Sequence, residues 1–453
     1  DEPGEAAADD DGVCVHASGL GRHGYNGRRV GLASSRATAR GKRLVAAATR
    51  AHMDTTEAFE GLESASSGRV YETADPAELP DDVGAVEPAY DYDAVDPDAL
   101  LTGTAGDGGP TPGHWRYDAL LPFPASTAVS ASEGQTPLVS TARLAEELDV
   151  AAVYVKDEGR NPTGTVLDRG FSVAMTAVAG VAEDRDVEPL ACASPGAGGQ
   201  SMAAYAGRAD LRSYAFVPSR CPFSCKSMTN VHGGDMRVVG GRYPDAVAAV
   251  DDQLETTYTD LTAFATPYRH EGTKTVAFEV VADLGAAPDV VVVPTGSGEV
   301  VTGVYKGFTE LTRVGAIDAV PRVVAAQPSG CAPVAAAVER GLTEPEPWST
   351  PDTICGELEV PDPAGGRAAI EAVTESGGTA VAVDDDEILA SAVAVAQNEV
   401  IEMGATGGAA PAGAWALAEA DELSPDDTVV LLNNDAGLKT PDVLRSHLMG
   451  QGI

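Results

Sequence analysis

From Trp115 onward, short apolar runs alternate with turn residues and with amphipathic stretches. Ala151–Val155 and Val290–Val293 are short and β-prone, and the second stops at Pro294 and a glycine loop. Asp385–Met403 instead spaces Ile388, Leu389, Val393, Val395 and Ile401 as one buried face of a helix would. Strand-like runs alternating with helical ones predict an α/β fold whose parallel sheets are covered on both sides. Upstream, a polar, Gly/Pro-rich connector near residues 102–113 sets a small N-terminal region apart. No internal repeat is evident.

At 453 residues the chain is about three times a typical domain, so two or three packed units are expected. Its 43% hydrophobic content, 50 Gly and 30 Pro suit a folded α/β protein with many turns rather than a disordered chain. Charge changes the picture more: 30 Lys and Arg face 69 Asp and Glu, a net of -39. Such a surface repels nucleic acid and anionic membrane, which removes both as partners. It also suits concentrated salt, where screening removes the repulsion among carboxylates, and only six of the 30 bases are Lys. A halophilic source is expected.

The charge is unevenly spread. Residues 1–11 hold six acids and no base, and residues 12–53 hold eight bases and no acid. The remaining chain has 22 bases and 63 acids, a net of -41. Residues 1–53 therefore read as an atypical basic extension outside the fold, with Met53 as the natural start. A basic targeting arm and an ordinary solvated tail are the alternatives. No run approaches the roughly 18 apolar residues of a membrane span, and nothing reads as a secretory signal, so a cytoplasmic location is expected. The six cysteines (Cys14, Cys192, Cys221, Cys225, Cys331, Cys355) are too scattered for a disulfide framework. Cys221 and Cys225 lack a second Cys/His pair that would complete a metal site.

Two glycine-rich segments follow apolar runs. Ala193–Gln200 reads A-S-P-G-A-G-G-Q before a helical stretch at Ser201–Arg208, and Pro294–Gly298 reads P-T-G-S-G before Val300–Leu311. Such loops bring backbone N–H groups and the positive end of a helix to a phosphate. Tight strand-to-helix turns also need glycine, so both readings stand.

Tyr154–Gly170 reads Y-V-K-D-E-G-R-N-P-T-G-T-V-L-D-R-G. It resembles the cofactor-lysine motif of threonine synthases, pyridoxal-phosphate enzymes of the tryptophan synthase β-like architecture (fold type II), whose usual form is K-D-E-G-x-N-P-T-G-S-F-K-D-R-G. The resemblance continues in order through the serine loop at Ser194, F-V-P-S-R-C-P-F at Phe216–Phe223 and G-G-D-M-R-V-V-G-G-R-Y-P-D-A at Gly233–Ala246. It then takes in T-P-Y-R-H-E-G-T-K-T at Thr266–Thr275, the loop at Pro294 and G-L-K at Gly437–Lys439. It implies two parallel-sheet αβα units: a large one from residues 114–180 and 275–453 and a smaller one from 181–274. It also implies pyridoxal phosphate as cofactor and a family reaction from O-phosphohomoserine to threonine. The acid-rich composition suggests the haloarchaeal type.

Against that motif the chain departs where the cofactor would be held. The family's Schiff-base lysine falls at Leu167, which has neither nucleophile nor titratable group. The loop that carries an Asn for the ring hydroxyl reads Ser194-Pro195-Gly196-Ala197. In the phosphate loop of Gly296, Ser297 and Gly298, Glu299 follows, and its carboxylate is expected to repel a phosphate dianion if dry and close. Asn434 replaces a hydroxyl residue at the pyridine nitrogen and is expected still to hydrogen-bond it. Four changes confined to one ligand's contacts point to relaxed selection on cofactor binding, which puts that binding in question.

The family also often opens with a zinc ribbon. Phe59–Gly68 resembles its first knuckle with the cysteines replaced by Ser64 or Ala65 and by Ser67, and Ala77–Glu87 has no Cys. Residues 54–113 are thus a degenerate zinc-ribbon-like region and linker without zinc, of which 54–101 is expected to be loosely ordered. Ser194, Arg169, Asn161, Thr163, Arg269 and Lys274 stand in family motifs. Asn161 and Thr163 are the candidate substrate contacts, with capping of the following helix as the rival role. For Arg169 the rival is an ion pair. His232 and His270 read as packing residues.

Two functions remain open. The favoured one is a threonine synthase-like protein impaired in cofactor chemistry or a pseudoenzyme, a homodimer or a companion to an active paralogue. The alternative is a working lyase acting on a small amino-acid substrate.

Overall fold

The structure, a computed structural model, describes residues 53–80, 82–103, 112–253 and 258–450. The expectations for residues 1–52 and for most of the connector lie outside them. First along the chain, β1 (Phe59–Ser64), β2 (Val70–Tyr71) and β3 (Val86–Tyr90) form an antiparallel sheet in the order β2-β1-β3. Next come β4 (Leu138–Ser140) and β5 (Ala152–Asp157), then a parallel sheet of β6 (Leu190–Ala193), β7 (Ser213–Pro218), β8 (Asp235–Val239) and β9 (Thr259–Asp260), ordered β8-β7-β6-β9. The chain then returns with β10 (Val290–Pro294), β11 (Arg322–Pro328), β12 (Ala380–Val383) and β13 (Thr428–Asn433). These complete a six-stranded sheet with β4 and β5, ordered β12-β11-β10-β13-β5-β4 and parallel except for the β4–β5 pair.

Burial on both faces explains the unbroken valines of β10. Val290 and Val292 pack into one core and Val291 and Val293 into another, as successive residues of a covered central strand must. In β13, Val429 and Leu431 join the first core and Val430 and Leu432 the second. Helix Leu167–Val181 packs Phe171, Val173, Ala174 and Met175 into the core beneath the smaller sheet, with Cys192 of β6 and Val217 of β7. A mixed α/β fold of parallel sheets is thus present, as expected.

Two boundaries moved. The helix expected to end at Met403 runs Asp385–Glu399, opened by a capping box of Asp384 and Glu387 and closed by Val400 at φ +59. The one starting after the serine loop begins at Ala197, four residues early, because its glycines carry no apolar period to read.

The N-terminal region is not loosely ordered; that expectation is corrected. Leu62 is fully buried, and the Ser64 hydroxyl donates to Val83 O at 3.2 Å, closing the turn where the knuckle was expected. Tyr90 OH donates to Glu271 at 2.5 Å, and Glu87 reaches His270 at 2.6 Å and Lys306 at 2.9 Å. Polar contacts to the body hold this small sheet in place. No helix among the described residues is long and apolar enough to cross a membrane.

Candidate active site

Strand ends of both parallel sheets bring their loops to one cavity of about 80 Å³, room for several water molecules. Leu167, the first residue of helix Leu167–Val181, lines it. So do Ser194 after β6, Ala197 at the start of helix Ala197–Arg208, Gly296, Ser297 and Gly298 after β10, and Asn434 after β13. Seven sequence-predicted residues therefore meet in one place. Gly196, Asn161 and Thr163 are not in its wall.

The β10 loop is built to accept an anion. Thr295 N–H is spent on Ala326 O at 2.9 Å, whereas the amides of Gly296, Ser297 and Gly298 meet no acceptor among the described residues. Those three N–H groups stand at the N-terminus of helix Glu299–Arg313, where the helix dipole adds positive potential. Gly298 is required: its φ is +91, and a Cβ would lie 2.5 Å from Gly365 O. The Glu299 carboxylate does not repel what the loop holds, which corrects the sequence expectation. It is paired with Arg269 at 2.6 Å and 3.1 Å, and the guanidinium also donates to Leu261 O and covers the Phe171 ring at 4.2 Å. Burial opposes the charge on Arg269, but Glu299 outweighs it and holds the guanidinium charged.

Beside this loop a residue with no sequence signal enters the wall. Ala197 N–H donates to Oε1 of Glu357 at 2.9 Å, and the Cys225 thiol lies 3.6 Å from the same oxygen. A Cβ on Gly196 would lie 2.3 Å from it, so the glycine is needed to admit the carboxyl. Burial, then the neighbouring and hydrogen-bonded Asp435, push Glu357 far above the usual carboxylate range, and Lys439 only partly opposes them. Lys439 is buried and donates to Gln200 Oε1 at 2.9 Å; burial opposes its charge, while Cys225, Asp435 and Glu357 restore it.

The Asn434 NH₂ donates to Pro294 O at 3.1 Å, which leaves its second N–H and its Oδ1 without a protein partner among the described residues. Leu167 packs between two cores, and among the described residues no lysine lines the cavity.

Comparison with known proteins supplies the lineage of this arrangement. The family model described as "Pyridoxal-phosphate dependent enzyme" matches residues 129–435. Threonine synthase of Methanosarcina acetivorans is 32% identical over 363 residues, covering 80% of this chain and 87% of that one. Threonine synthase of Methanocaldococcus jannaschii is 33% identical over 333 residues, covering 73% and 81%. The chain belongs to the threonine synthase family of pyridoxal-phosphate dependent enzymes. Its fold is also that of solved structures. A fungal L-serine ammonia-lyase from Rhizomucor miehei superposes at a TM-score of 0.59 with 20% identity, covering 69% of this chain and 97% of that one. Diaminopropionate ammonia lyase from Escherichia coli does so at 0.61 with 16% identity, covering 71% and 89%.

Several residues in threonine synthase-like motifs are committed to holding the fold. Arg169 is fully buried and binds Glu158 at 2.7 Å and Glu279 at 2.7 Å, with Lys156 also on Glu279 at 2.7 Å. Its ion-pair reading holds. Asn161 accepts from Gly134 N at 2.8 Å and donates to Glu158 at 2.6 Å. Thr163 gives both its N–H and its hydroxyl to Asp168, at 2.7 Å and 2.6 Å. Neither caps the helix directly: Asp168, in the first turn of helix Leu167–Val181, ties down the Thr163 turn instead. Burial pushes the Asp168 carboxyl up to about 6 despite hydrogen bonds from Ser201 and Thr163.

Lys274 sits between Glu271 at 2.6 Å and Glu310 at 2.8 Å, away from the cavity. Glu87, His270 and Glu271 lie close enough together to hold a metal. The Lys306 ammonium, bound to both glutamates, already serves as the cation there.

Whether the cavity fits pyridoxal phosphate divides by end. The three unpartnered amides suit the phosphate; among the described residues the wall offers no amine to the aldehyde. These residues do not fit the cofactor as a covalently anchored group.

Proposed function

We propose that this is a threonine synthase-type scaffold impaired in the family's lysine-dependent chemistry, with Leu167 standing where the Schiff-base lysine would be. The observation that carries this reading is the absence of any lysine from the cavity wall, with Leu167 among the residues that form it. Lysine chemistry needs an amine within bonding distance of the carbonyl carbon. The nearby Lys439 is instead hydrogen-bonded to Gln200 outside that wall.

Absorbance of the purified protein with pyridoxal phosphate in concentrated salt, followed by borohydride reduction and peptide mapping, tests it. No site-specific pyridoxyl-lysine is expected. A single stoichiometric one, with turnover of O-phosphohomoserine, would establish the active lyase. The three free amides of the β10 loop favour a second reading in one respect, that phosphate-bearing ligands still bind without covalent attachment. On this reading the protein works in the cytoplasm of a salt-adapted cell, as a homodimer or beside an active paralogue.

A further inference from the structure

Glu357 touches both glycine loops of the cavity. Its Oε1 accepts from Ala197 N–H at 2.9 Å on one side, and on the other its carbonyl oxygen would lie 3.2 Å from a Cβ on Gly296. Part of the residue stays exposed, as a member of the cavity wall. The chain around it is held too firmly to swing the carboxyl out. Leu358 packs into a core of the six-stranded sheet and Val360 into a core of the four-stranded one. Between them Glu359, 4% exposed, pairs with Arg220 at 2.5 Å and Arg242 at 2.6 Å. On the N-terminal side, the Thr353 hydroxyl and Ile354 N–H both donate to Asp385, at 2.5 Å and 2.7 Å.

What the plugged wall leaves is small. The cavity encloses about 80 Å³, whereas sites that take a small organic ligand enclose roughly 300–1,000 Å³. Three amides of the β10 loop nevertheless remain free for an anion. We propose that Glu357 is a built-in plug that sets the size of ligand this site accepts. It fills the space between the two glycine loops, so the β10 loop admits a small anion such as inorganic phosphate and the site rejects a phosphate that carries an aromatic ring. This rests on the phosphate-binding reading of that loop and narrows it. Leu167 removes covalent attachment; Glu357 removes room.

Bulk and negative charge would each exclude a ring-bearing phosphate here, and the structure favours bulk. Burial, then Asp435, push Glu357 toward its neutral form, which weakens any repulsion. Repulsion is also screened by salt, whereas overlap with firmly packed atoms is not. Glu357→Gln separates the two, since the amide keeps the shape and an acceptor for Ala197 N–H but carries no charge. Glu357→Ala and Glu357→Ser remove the bulk.

Pyridoxamine 5′-phosphate is the probe, because it has the ring and the phosphate but no aldehyde and so cannot bond covalently to a lysine. Its binding is therefore independent of Leu167, and either reading can fail alone. Calorimetric titration of the full chain in concentrated salt is run with this probe and with inorganic phosphate. The wild-type protein should take up inorganic phosphate and show no saturable uptake of pyridoxamine phosphate. Glu357→Ala and Glu357→Ser should bind pyridoxamine phosphate at least about tenfold more tightly than wild type, the low end of what a steric overlap costs. Inorganic phosphate should compete for the site so gained, and Glu357→Gln should stay closed. A gain in Glu357→Gln equal to that in Glu357→Ala would assign the exclusion to charge and overturn the proposal. Shortened variants that bind inorganic phosphate but no pyridoxamine phosphate would overturn it as well, because removing the plug would have opened nothing. If neither shortened variant folds, the wild-type titration decides: saturable uptake of pyridoxamine phosphate, displaced by inorganic phosphate, overturns the proposal by itself.

Discussion

Two buried ionic clusters, drawn from distant parts of the chain, are built on opposite rules. Around Arg169, two cations (Arg169 and Lys156) meet two carboxylates (Glu158 and Glu279) at 2.7 Å, and Asn161 and Thr136 supply further hydrogen bonds. Burial alone would raise both carboxyls, but Arg169 beside them holds each below the usual range. At the cavity, Glu357 lies beside Asp435, neither forms a salt bridge among the described residues although Lys439 is near, and Glu357 is pushed far upward. Paired buried charge is scaffold, because removing either partner strands the other. Like-charged carboxyls in contact stabilise nothing by themselves, and such perturbed groups in a cavity mark a place where a ligand or a proton is handled.

The largest expected effect comes from breaking the balanced cluster. Arg169→Met leaves Glu158 and Glu279 buried without their guanidinium and should cost about 3–5 kcal/mol of stability, read by denaturant unfolding in concentrated salt. A loss under about 1 kcal/mol would erase the distinction between the clusters.

The cavity pair should instead act through pH. Since Glu357 titrates above its ordinary 4.5 in the fold, the folded state holds more protons than the unfolded one, and stability falls as pH rises from there. Glu357→Gln should remove that fall, whose slope is at most about 1.4 kcal/mol per pH unit. Unfolding midpoints that keep the same slope from pH 5 to 8 in the variant would show that Glu357 is not the group responsible.

Asp168 lies between the regions, buried but close to Lys439, and its carboxyl is raised from 3.8 to about 6. Its contribution is present at low pH and lost as pH climbs through that window, so Asp168→Asn should flatten the stability profile there and leave the profile above pH 7 unchanged. The smallest change is Tyr90→Phe, which removes the hydroxyl bond to Glu271 while Lys274 and Lys306 still hold that carboxylate. About 1 kcal/mol should be lost. A larger loss, with early cleavage of the first 50 or so described residues by protease, would make that tyrosine the main anchor of the N-terminal sheet.

Much of the cavity was legible in the chain. Loops ending at Pro294 and after Ala193 announced themselves by glycines following apolar strands, and Gly296, Ser297, Gly298, Ser194, Ala197, Leu167 and Asn434 all reach the cavity wall. Side-chain commitments were not legible. Asn161 and Thr163 stand in a binding motif yet spend their polar atoms on Glu158, Gly134 and Asp168. Glu357 sits in a Gly/Pro-rich loop with no motif around it, and its partner Ala197 is 160 residues away.

By itself the sequence determined the α/β fold, the valine-filled central strands, the glycine turns and the acidic surface. Each of these follows from local rules: the period of burial, the φ a residue can adopt, and net charge. Only the tertiary structure decided which charges are partners. Glu299 proved to be neutralised by Arg269, and Glu357 and Asp435 to be left facing each other. Electrostatic energy depends on distance and burial, and distances between residues remote in sequence are set only when the sheets pack.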